Sequence, residues 1–572
     1  MKNKEVAAIL EDIADFLEVQ DVEFKPRAYR RAARNIESLN EDVADVHERG
    51  ELQEIDGVGE AIADKVGEYL DTGEMSYYRE LKDELPIDID ALTAVEGVGP
   101  KTAKKLYDAL DIQDLDDLEA AAEAGEIAGI EGFGATSQQN ILDNVPAARE
   151  HRERNLLGKI FPAADDLRDR VLDDGAFGDA EIVGSFRRRR PTVGDLDVLA
   201  TAADAVDGAE AVEAFTALDV VERVKEAGET KASVEIEGDL DVDLRVVDDD
   251  QWGSALMYFT GSKDHNVTMR QRALDRKWTL NEYGLFEQAE GEDETGDRVA
   301  GATEDEVFDA LELQYVPPEM REDTGEVDAA AAGELPELVE TDEIRGDLQV
   351  HTDYSDGQHS VREMAEKADA KGYGYLLLTD HGPSLAVAGF SEEDFWEQQD
   401  DVAAVNEDAD LDVELLQGIE ANVVEGGLDV SDELLDACDL VVAALHSRPN
   451  DPTERFVQAV ENEPVDVLAH PQNRLLNERE PLELDLDRLV GACVDNDVAV
   501  EINSQPSRLD LDWRNIKRYR DEVKYVVSTD AHTTGELDLA HLGVSQARRG
   551  WCEADDVLNT KPLDEVFSYC GR

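Results

Sequence analysis

The chain has 572 residues and a formal net charge of −83, with 137 acidic side chains against 54 lysines and arginines. At about 100 to 200 residues per domain, this length predicts several domains, each with a core of its own. So acidic a chain would normally exclude a nucleic-acid partner, which needs basic surface patches, but here the acidity is spread over every part of the sequence and charge must be judged locally.

The spacing of the cysteines and the hydropathy of the chain indicate in which cellular compartment the protein works. The four cysteines, Cys438, Cys493, Cys552 and Cys570, lie far apart without a C-x-x-C spacing, which favours neither a disulfide framework nor a zinc cage. The amino terminus lacks an apolar signal core, and no apolar run approaches the ~18 residues that span a membrane. We therefore expect a cytoplasmic protein that makes no membrane contact.

The first part of the chain predicts α-helices. Apolar residues recur at helical spacing in residues 5–20, and residues 24–36 add a local basic island. One pattern then occurs twice, at 52–66 and 92–106: an apolar helix end, a Gly-Val-Gly turn and a second helix. A degenerate third copy spans 127–141. These repeats look like helix-hairpin-helix units.

The Gly-Val-Gly turns predict contact with DNA. Their glycines let the backbone come close to a phosphate, and the following helix presents free amides, so that binding needs few lysines. The alternative is that each turn merely caps a helix, and the repetition of the pattern argues against it. The residues predicted to contact DNA are Gly57, Val58, Gly59, Gly97, Val98 and Gly99.

Residues 184–197, GSFRRRRPTVGDLD, combine a small-residue turn, four arginines and two carboxylates. Successive strand side chains face opposite ways, so Asp195 and Asp197 share one face of a strand and can hold metal ions jointly. Solvated strand faces of so acidic a chain show the same spacing, and the arginine-rich turn upstream favours a phosphoryl-transfer site instead.

The turn in front of these carboxylates suits a phosphate ligand. Gly184 and Ser185 would let backbone amides approach phosphate oxygens, and Arg188 could neutralise those oxygens by bidentate contacts. A third carboxylate is available in residues 238–247 on a second predicted strand. Three carboxylates around two magnesium ions can bridge an attacking hydroxyl and a triphosphate in an in-line displacement.

The last part of the chain predicts a barrel. Seven apolar, strand-like runs each end in a residue that can bind a metal. These residues are His351, His381, Glu420, His446, His470, Glu501, and the pair Asp530 and His532. Their spacing is that of βα units, which close into a barrel whose ligands gather at the carboxyl ends of the strands. Imidazole and carboxylate ligands together suit Zn, Mn or Fe and phosphoester chemistry.

The motifs GSFRRRR, GDLD, VDLRVV, YFTGS and LNEYGLF, in this order behind paired helix-hairpin-helix units, resemble the family X DNA polymerases, the class of polymerase beta. The resemblance implies that the third carboxylate is Asp243 and not Asp241. It implies that Tyr258 and Phe259 line the sugar pocket. The full set of nucleotide-binding residues that it implies is Gly184, Ser185, Arg188, Tyr258, Phe259, Gly261, Asn266 and Arg270. The last two would contact the nascent base pair.

The same resemblance gives Lys65 a role. This lysine follows the first Gly-Val-Gly turn and occupies the position of a Schiff-base lysine for sugar-phosphate lyase chemistry. A helix surface also carries such a lysine without any function, and the other basic residues expected around it are few.

The motifs DLQVHTDYSDG, LTDHG, GIEANV, AALHS, LAHP and STDAH resemble the PHP (polymerase and histidinol phosphatase) domain, a distorted (βα)7 barrel with a trinuclear metal site. The ligands that the resemblance implies are His351, Asp356, His381, Glu420, His446, His470, Asp530 and His532. One position departs from the family: Gln349 stands where the first His of an H-x-H pair is usual. Glu501 is outside the family pattern, and we expect it to support the barrel.

Together the two resemblances predict a multidomain protein with an all-α helix-hairpin-helix amino-terminal region, an α+β nucleotidyltransferase palm with a thumb, and a carboxyl-terminal distorted (βα)7 barrel. The expected domains are a lyase-like domain at 1–85, fingers with the second helix-hairpin-helix at 86–150, a palm at 151–250, a thumb at 251–320, a linker at 321–340 and a PHP phosphoesterase domain at 341–572.

The implied function is a DNA repair polymerase that fills gaps, with a metal-dependent 3′–5′ exonuclease and abasic-site endonuclease in the barrel. Its expected cofactors are Mg²⁺ in the palm and up to three Mn²⁺ or Zn²⁺ ions in the barrel, and its expected partners are DNA and dNTPs. We expect a monomer. The composition resembles that of cytoplasmic proteins of extreme halophiles, which indicates a halophilic archaeal source.

Two other functions remain possible at this stage. One is a PHP phosphoesterase or phosphatase acting on a small molecule, with a non-catalytic DNA-binding front half. The helix-hairpin-helix units speak against it. The other is a DNA-binding scaffold without polymerase chemistry, which would need a broken carboxylate triad.

Overall fold

The structure is a computed structural model that divides into two compact units, Met1–Arg154 and Asn155–Arg572. It describes the chain except for residues 1–2, 20–24, 38–42, 51, 56, 73–74, 85–86, 88–91, 94, 96–97, 111, 131–132, 135–136, 143, 146–153, 239, 289–294, 386–388, 390, 409 and 463.

Regular structure in the described residues of the first unit is helical. The α-helices span Asn3–Val19, Lys25–Glu37, Val43–Arg49, Glu60–Thr72, Ser76–Glu84, Pro100–Leu110 and Leu115–Glu123, with short 3-10 turns at Leu52–Glu54 and Ile127–Gly129. Apolar residues at helical spacing, such as Leu10 and Ile13, form one core, and Leu106 and Leu118 belong to a second. The predicted all-α region is thereby confirmed.

The second unit begins with an α+β domain. Its strands are β1 (Asn155–Leu156), β2 (Phe177–Ile182), β3 (Thr192–Val193), β4 (Leu196–Ala202), β5 (Val221–Ala227), β6 (Lys231–Ile236) and β7 (Leu240–Val247), and its α-helices span Leu157–Asp173, Gly184–Arg187 and Gly208–Thr216. Five of the strands form a sheet in the order β2-β4-β7-β6-β5, in which β4 and β7 run parallel. Exposed and buried residues alternate in the first half of β7, because only one face of this sheet is covered by the core.

A thumb-like subdomain follows. It contains a 3-10 turn at Asp249–Gln251, helices Trp252–Thr260, Lys263–Asp275 and Glu304–Ala310, the antiparallel strands β8 (Trp278–Asn281), β9 (Gly284–Gln288) and β10 (Thr295–Ala300), and a 3-10 turn at Pro318–Met320. Its core holds an ion pair between the fully buried Arg321 and Glu304, at 2.6 Å. Arg187 of the preceding domain also binds Glu304, at 2.8 Å, so the two subdomains share one buried carboxylate.

The segment 321–340, expected to be a linker, is packed against both of its neighbours. It contains the helix Glu326–Ala332, and the buried Glu326 carboxylate binds the Nδ1 atom of the buried His265 at 2.7 Å. At its end the amide of Val339 donates to the carbonyl of Cys552 in the last domain, at 3.0 Å. The Ala, Glu and Gly composition that suggested a linker gives no sign of these long-range contacts.

The last domain is a nearly closed barrel of parallel strands. They are β11 (Gly346–Val350), β12 (Tyr375–Leu378), β13 (Glu414–Val424), β15 (Leu440–Ala444), β16 (Val467–Leu468), β17 (Ala499–Asn503) and β18 (Tyr525–Ser528), with the short β14 (Gly427–Leu428) antiparallel to β13. After β18, the amide of His351 donates to the carbonyl of Ala531 at 2.8 Å and links the first strand to the last. This arrangement confirms the predicted seven-stranded βα barrel.

Helices and short turns surround the barrel strands. The α-helices span Val361–Ala370, Glu392–Asn406, Asp432–Ala437, Pro452–Asn462, Leu486–Asp495, Trp513–Tyr519, Ala540–Arg549 and Leu563–Cys570, and the 3-10 turns span Thr341–Glu343, Thr534–Leu539 and Leu558–Thr560. In the part of the chain that the structure describes, no helix combines the length and the apolar character needed to cross a membrane.

Candidate active sites

Three aspartates meet on the neighbouring parallel strands β4 and β7. Asp197 lies directly opposite Asp243 in the register of the two strands, and Asp195 comes just before β4. One carboxylate oxygen from each of these residues lies within 4.8 Å of the others. Asp241, two residues earlier in β7, instead forms an ion pair with Lys225 on β5. The structure thus brings together the three predicted carboxylates and leaves Asp241 out.

We call Asp195, Asp197 and Asp243 the palm triad, and the electrostatics of this triad favour a bound cation. Burial, together with the nearby charges of Asp195 and Asp243, raises the pKa of Asp197 to about 7. Three carboxylates at this separation repel one another, and divalent ions bound to their oxygens would remove the repulsion. The donor set is made of oxygen atoms alone, which fits Mg²⁺ or Mn²⁺.

Two neighbours hold the triad in position. Gly184 has a φ of +64°, and a Cβ atom there would collide with the Asp197 carboxylate, so the close approach requires glycine. Ser233 on β6 pairs with Asp243 in the strand register, and its hydroxyl donates to the Asp243 carboxylate. Ser233 was not found from the sequence, although it alternates with the buried Ala232 and Val234 and therefore lies on the exposed face of the sheet.

Arg188, predicted to bind a triphosphate, is buried and already has protein partners. Its Nε atom donates to Glu322 Oε1 at 3.2 Å, and its Nη1 atom donates to the carbonyl oxygen of Thr260. Ser185 lies one turn away in the short helix Gly184–Arg187, and it is partly exposed. Glu322 is a functional candidate that the sequence did not reveal, because it lies far along the chain from the arginine it binds.

The other predicted nucleotide residues form a connected group beside Arg188. Tyr258 and Phe259 lie on the helix Trp252–Thr260 with their ring centroids 5.2 Å apart. Asn266 Nδ2 donates to the carbonyl of Tyr258 at 2.7 Å, and Arg270 Nε donates to the carbonyl of Asn266 at 3.3 Å. Between them, Gly261 has a φ of +71° that favours glycine.

Both Gly-Val-Gly turns adopt the same local geometry where the structure describes them. In the first, Gly57 has a φ of +75° and the carbonyl of Gly59 accepts from Ala63 at 2.9 Å. In the second, the carbonyl of Gly99 accepts from Ala103, also at 2.9 Å. Val58 and Val98 are buried in the cores of their hairpins, whereas Gly59 and Gly99 are exposed at the start of the following helix. Gly97 lies outside the described residues.

Lys65 lies in the helix Glu60–Thr72 and is partly exposed. Its Nζ atom donates to the carbonyl of Ala61 at 2.8 Å and sits 4.8 Å from the centroid of the Tyr77 ring. The amine therefore packs on an aromatic face at the surface of the first unit.

The barrel brings all eight predicted ligands together, in a group that we call the barrel cluster. Three sets of its side chains offer ligand atoms within 4.8 Å of one another. They are His351, Asp356, His381 and His532; His381, Glu420 and His446; and His351, Glu420 and Asp530. His470 completes the cluster, with its Nε2 atom 3.2 Å from Glu420 Oε1. Shared members join the three sets into one continuous centre.

Charge pairing dominates the barrel cluster. Burial alone would raise the pKa of Glu420, but His381 and His446 hold it well below its ordinary value. Burial disfavours the charged form of His532 as well, yet Asp356 raises its pKa to about 9. Imidazoles and carboxylates that stabilise one another in this way are the donors that Mn, Zn and Fe ions take when they displace the protons.

A second layer of polar residues orients the ligands. The fully buried Glu501 accepts from the amide of His470 at 2.6 Å, which agrees with its expected supporting role. Asn503 Nδ2 donates to Asp530 at 3.1 Å. Asp380, which the sequence did not single out, accepts from the amide of Thr352 at 2.9 Å just after the first ligand.

Gln349 is fully buried on β11, two residues before His351 and on the same face of that strand. Neither its amide oxygen nor its amide nitrogen has a hydrogen-bond partner among the described residues. Buried amides nearly always have a hydrogen-bond partner, and Gln349 is an exception. Its amide oxygen could therefore serve as a ligand atom for a hard metal ion at the position where the family has an imidazole.

Comparison with known proteins agrees with this geometry. Sequence profiles match a helix-hairpin-helix domain at 1–75, a SAM-like helix-hairpin-helix tandem at 89–144, a DNA polymerase beta thumb at 255–322 and a PHP domain at 347–561. The chain is 34% identical over 582 aligned positions to the DNA polymerase/3′-5′ exonuclease PolX of Bacillus subtilis (strain 168), covering 100% of both chains.

Two further relatives cover parts of the chain. A probable phosphatase of Acetivibrio thermocellus is 30% identical over 207 residues, which are 33% of this chain and 80% of the phosphatase. DNA polymerase lambda of Rattus norvegicus is 26% identical over 342 residues, 56% of each chain.

The substitution Glu420→Gln should remove metal from the barrel cluster, because Glu420 contributes to two of its three sets of ligands. Wild-type protein should be stabilised by about 2.7 kcal/mol when free Mn²⁺ is ~100 times the dissociation constant of the barrel cluster, and the variant should lose this contribution while keeping any that comes from the palm triad. Thermal melting at several Mn²⁺ concentrations, with elemental analysis of the dialysed protein, measures both. Glu414→Gln, at the exposed start of the same strand, is the control. Unchanged metal content in Glu420→Gln would refute the assignment.

Proposed function

The chain belongs to the PolX family of DNA polymerases with a carboxyl-terminal PHP domain, and we infer from this premise that it is a DNA polymerase with a 3′–5′ exonuclease. The observation that carries the inference is that two separate metal-competent centres are intact within one full-length match. The palm triad supports nucleotide addition, and the barrel cluster supports phosphodiester hydrolysis.

In the palm, Asp195, Asp197 and Asp243 would hold Mg²⁺. Bound there, these ions would stabilise the charge that develops on the phosphates during in-line displacement by the primer hydroxyl. The remaining tasks fall to the chain itself. Ser185 and Arg188 would bind the triphosphate, and the aromatic pair on the helix Trp252–Thr260 would bound the sugar.

In the barrel, the eight clustered side chains would hold up to three Mn²⁺ or Zn²⁺ ions, which would activate water as a nucleophile and neutralise charge on the scissile phosphate. The same chemistry would serve both removal of a primer 3′ nucleotide and cleavage at an abasic site. Hydrogen bonds from Asn503 to Asp530 and from His470 to Glu501 would keep the ligands oriented while the substrate changes.

We assign the protein to gap filling in base excision repair, acting as a monomer on gapped DNA and dNTPs in the cytoplasm. Its acidic composition supports work in concentrated salt, where counterion release contributes little to DNA affinity. Contacts from the backbone amides at the exposed Gly59 and Gly99 would then matter more than lysines. We propose a halophilic archaeal source for the same reason.

A small-molecule phosphatase is the competing function, and the match of a third of this chain to a probable phosphatase favours it. That match leaves about two thirds of the chain unexplained. A DNA-binding scaffold would need a broken palm triad, whereas all three carboxylates converge. The polymerase and exonuclease account for both centres.

Asp197→Asn should reduce primer extension about a thousandfold or more, because the ions held by the triad stabilise the transition state by several kcal/mol. Primer shortening should persist, since the barrel cluster is untouched. Single-turnover assays with Mg²⁺ or Mn²⁺ in concentrated potassium chloride, scored for longer and shorter products, measure both. Asp241 lies on the same face of β7 as Asp243 but outside the triad, so Asp241→Asn should extend primers normally. Normal extension by Asp197→Asn would exclude the palm as the polymerase site.

Lys65→Ala should abolish borohydride trapping of a 5′-deoxyribose phosphate end, if Lys65 is the lyase nucleophile, because reduction fixes only an imine formed with that amine. The internal repeat supplies the control: Lys105 occupies the equivalent position after the second Gly-Val-Gly turn and is exposed. Lys105→Ala should trap as much adduct as wild type. If Lys65→Ala and Lys105→Ala form the same amount of trapped adduct, the nucleophile is a residue other than Lys65.

A further inference from the structure

A barrel residue contacts the nucleotide-binding arginine of the palm. Arg549 ends the barrel helix Ala540–Arg549, and its side chain is only 1% exposed. One guanidinium nitrogen, Nη1, donates to the main-chain carbonyl of Arg188. The other, Nη2, donates to Glu322 Oε1 at 3.0 Å, the same oxygen that accepts from Arg188 Nε at 3.2 Å. Arg188 and Arg549 therefore share one carboxylate oxygen.

The position of Glu322 is fixed from the barrel side. Lys517 Nζ donates to both the carbonyl and the hydroxyl of Thr324, at 2.7 and 2.8 Å. Arg549 in turn packs over the ring of Trp513, with its guanidinium carbon 4.9 Å from the ring centroid. Glu322 thus lies in a segment that the barrel holds on one side and the palm contacts on the other.

Comparison with the neighbouring Arg187 shows why Arg188 can leave its protein partners more easily. Arg187 is held by both oxygens of Glu304, at 3.0 and 2.8 Å, and by the hydroxyl of Thr260 at 2.7 Å. Arg188 has one bond to the shared Glu322 oxygen and one to the Thr260 carbonyl. If Arg188 turns toward a triphosphate, the largely buried Glu322 would lose one of its two bonded arginines, and Arg549, with the nearby charge of Arg190, would have to neutralise it.

We propose that Arg549 of the PHP barrel is a positioning residue for nucleotide binding in the palm. It fixes the Arg188 main chain and keeps Glu322 neutralised, so that the Arg188 guanidinium can exchange Glu322 for the triphosphate. The inference rests on the proposed role of Arg188 in triphosphate binding. It gives the barrel a function in polymerisation that does not depend on the barrel metals.

The test is steady-state extension with the full-length protein and varied dNTP. Arg549→Met should raise the dNTP KM about tenfold or more with little change in kcat. Without Arg549, Glu322 binds Arg188 more tightly, and Arg188 is then less free to bind the triphosphate. Adding Glu322→Gln should recover most of the lost dNTP affinity, since the competing charge is gone and only the contact with the Arg188 main chain is still missing. A purely structural role would leave the double variant as impaired as the single one, and that result would overturn the proposal.

Two further variants separate this inference from the assignment on which it rests. Arg188→Met should raise the dNTP KM at least as much as Arg549→Met; a wild-type KM there would refute the triphosphate role of Arg188 itself. If Arg188→Met is impaired and Arg549→Met is not, only the barrel contribution fails. Arg518→Met, an exposed barrel arginine that pairs with Asp487 and stacks on Tyr519, is the matched control and should keep the wild-type KM.

Discussion

Repulsion between carboxylates is the interaction on which both centres depend. In the palm, burial and two neighbouring aspartates raise the pKa of Asp197 to about 7, so a bound cation would favour the fully charged triad at neutral pH. In the barrel, imidazoles surround Glu420 and take the place of a cation. The fold supplies the contacts that keep these like charges together, such as the glycine at 184 and the serine at 233.

Pairing of buried charges also governs how the palm, the thumb and the barrel fit together. Their junction is lined by arginines, and two largely buried carboxylates there each bind two of them: Glu304 binds Arg187 and Arg321, and Glu322 binds Arg188 and Arg549. Sharing a carboxylate costs less desolvation than burying a separate partner for every guanidinium. It also makes the charge state of each subdomain depend on its neighbour, which is the basis for coupling the barrel to nucleotide binding.

Strand periodicity is a local property, and from it the sequence predicted the barrel and most of its candidate ligands, whereas Asp243 and Asp356 were assigned only through the family resemblances. An i, i+2 spacing places Asp195 and Asp197 on one face, and the ends of parallel strands must meet, which brings the barrel histidines together. Contacts between distant positions were not predictable. Nothing local links Glu322 to Arg188 or Arg549, and the Ala, Glu and Gly composition of the segment 321–340 conceals its packing.

Anomalous diffraction from crystals soaked in Mn²⁺ tests the central claim most directly, because it locates each ion without reference to activity. Two groups of peaks are predicted: one between the carboxylates of the palm triad, and one around Glu420 that is shared among the three sets of barrel ligands. Peaks confined to the palm, with the barrel imidazoles still paired directly to Glu420 and Asp356, would contradict the account. The barrel would then be a scaffold held together by ion pairs rather than a metal centre.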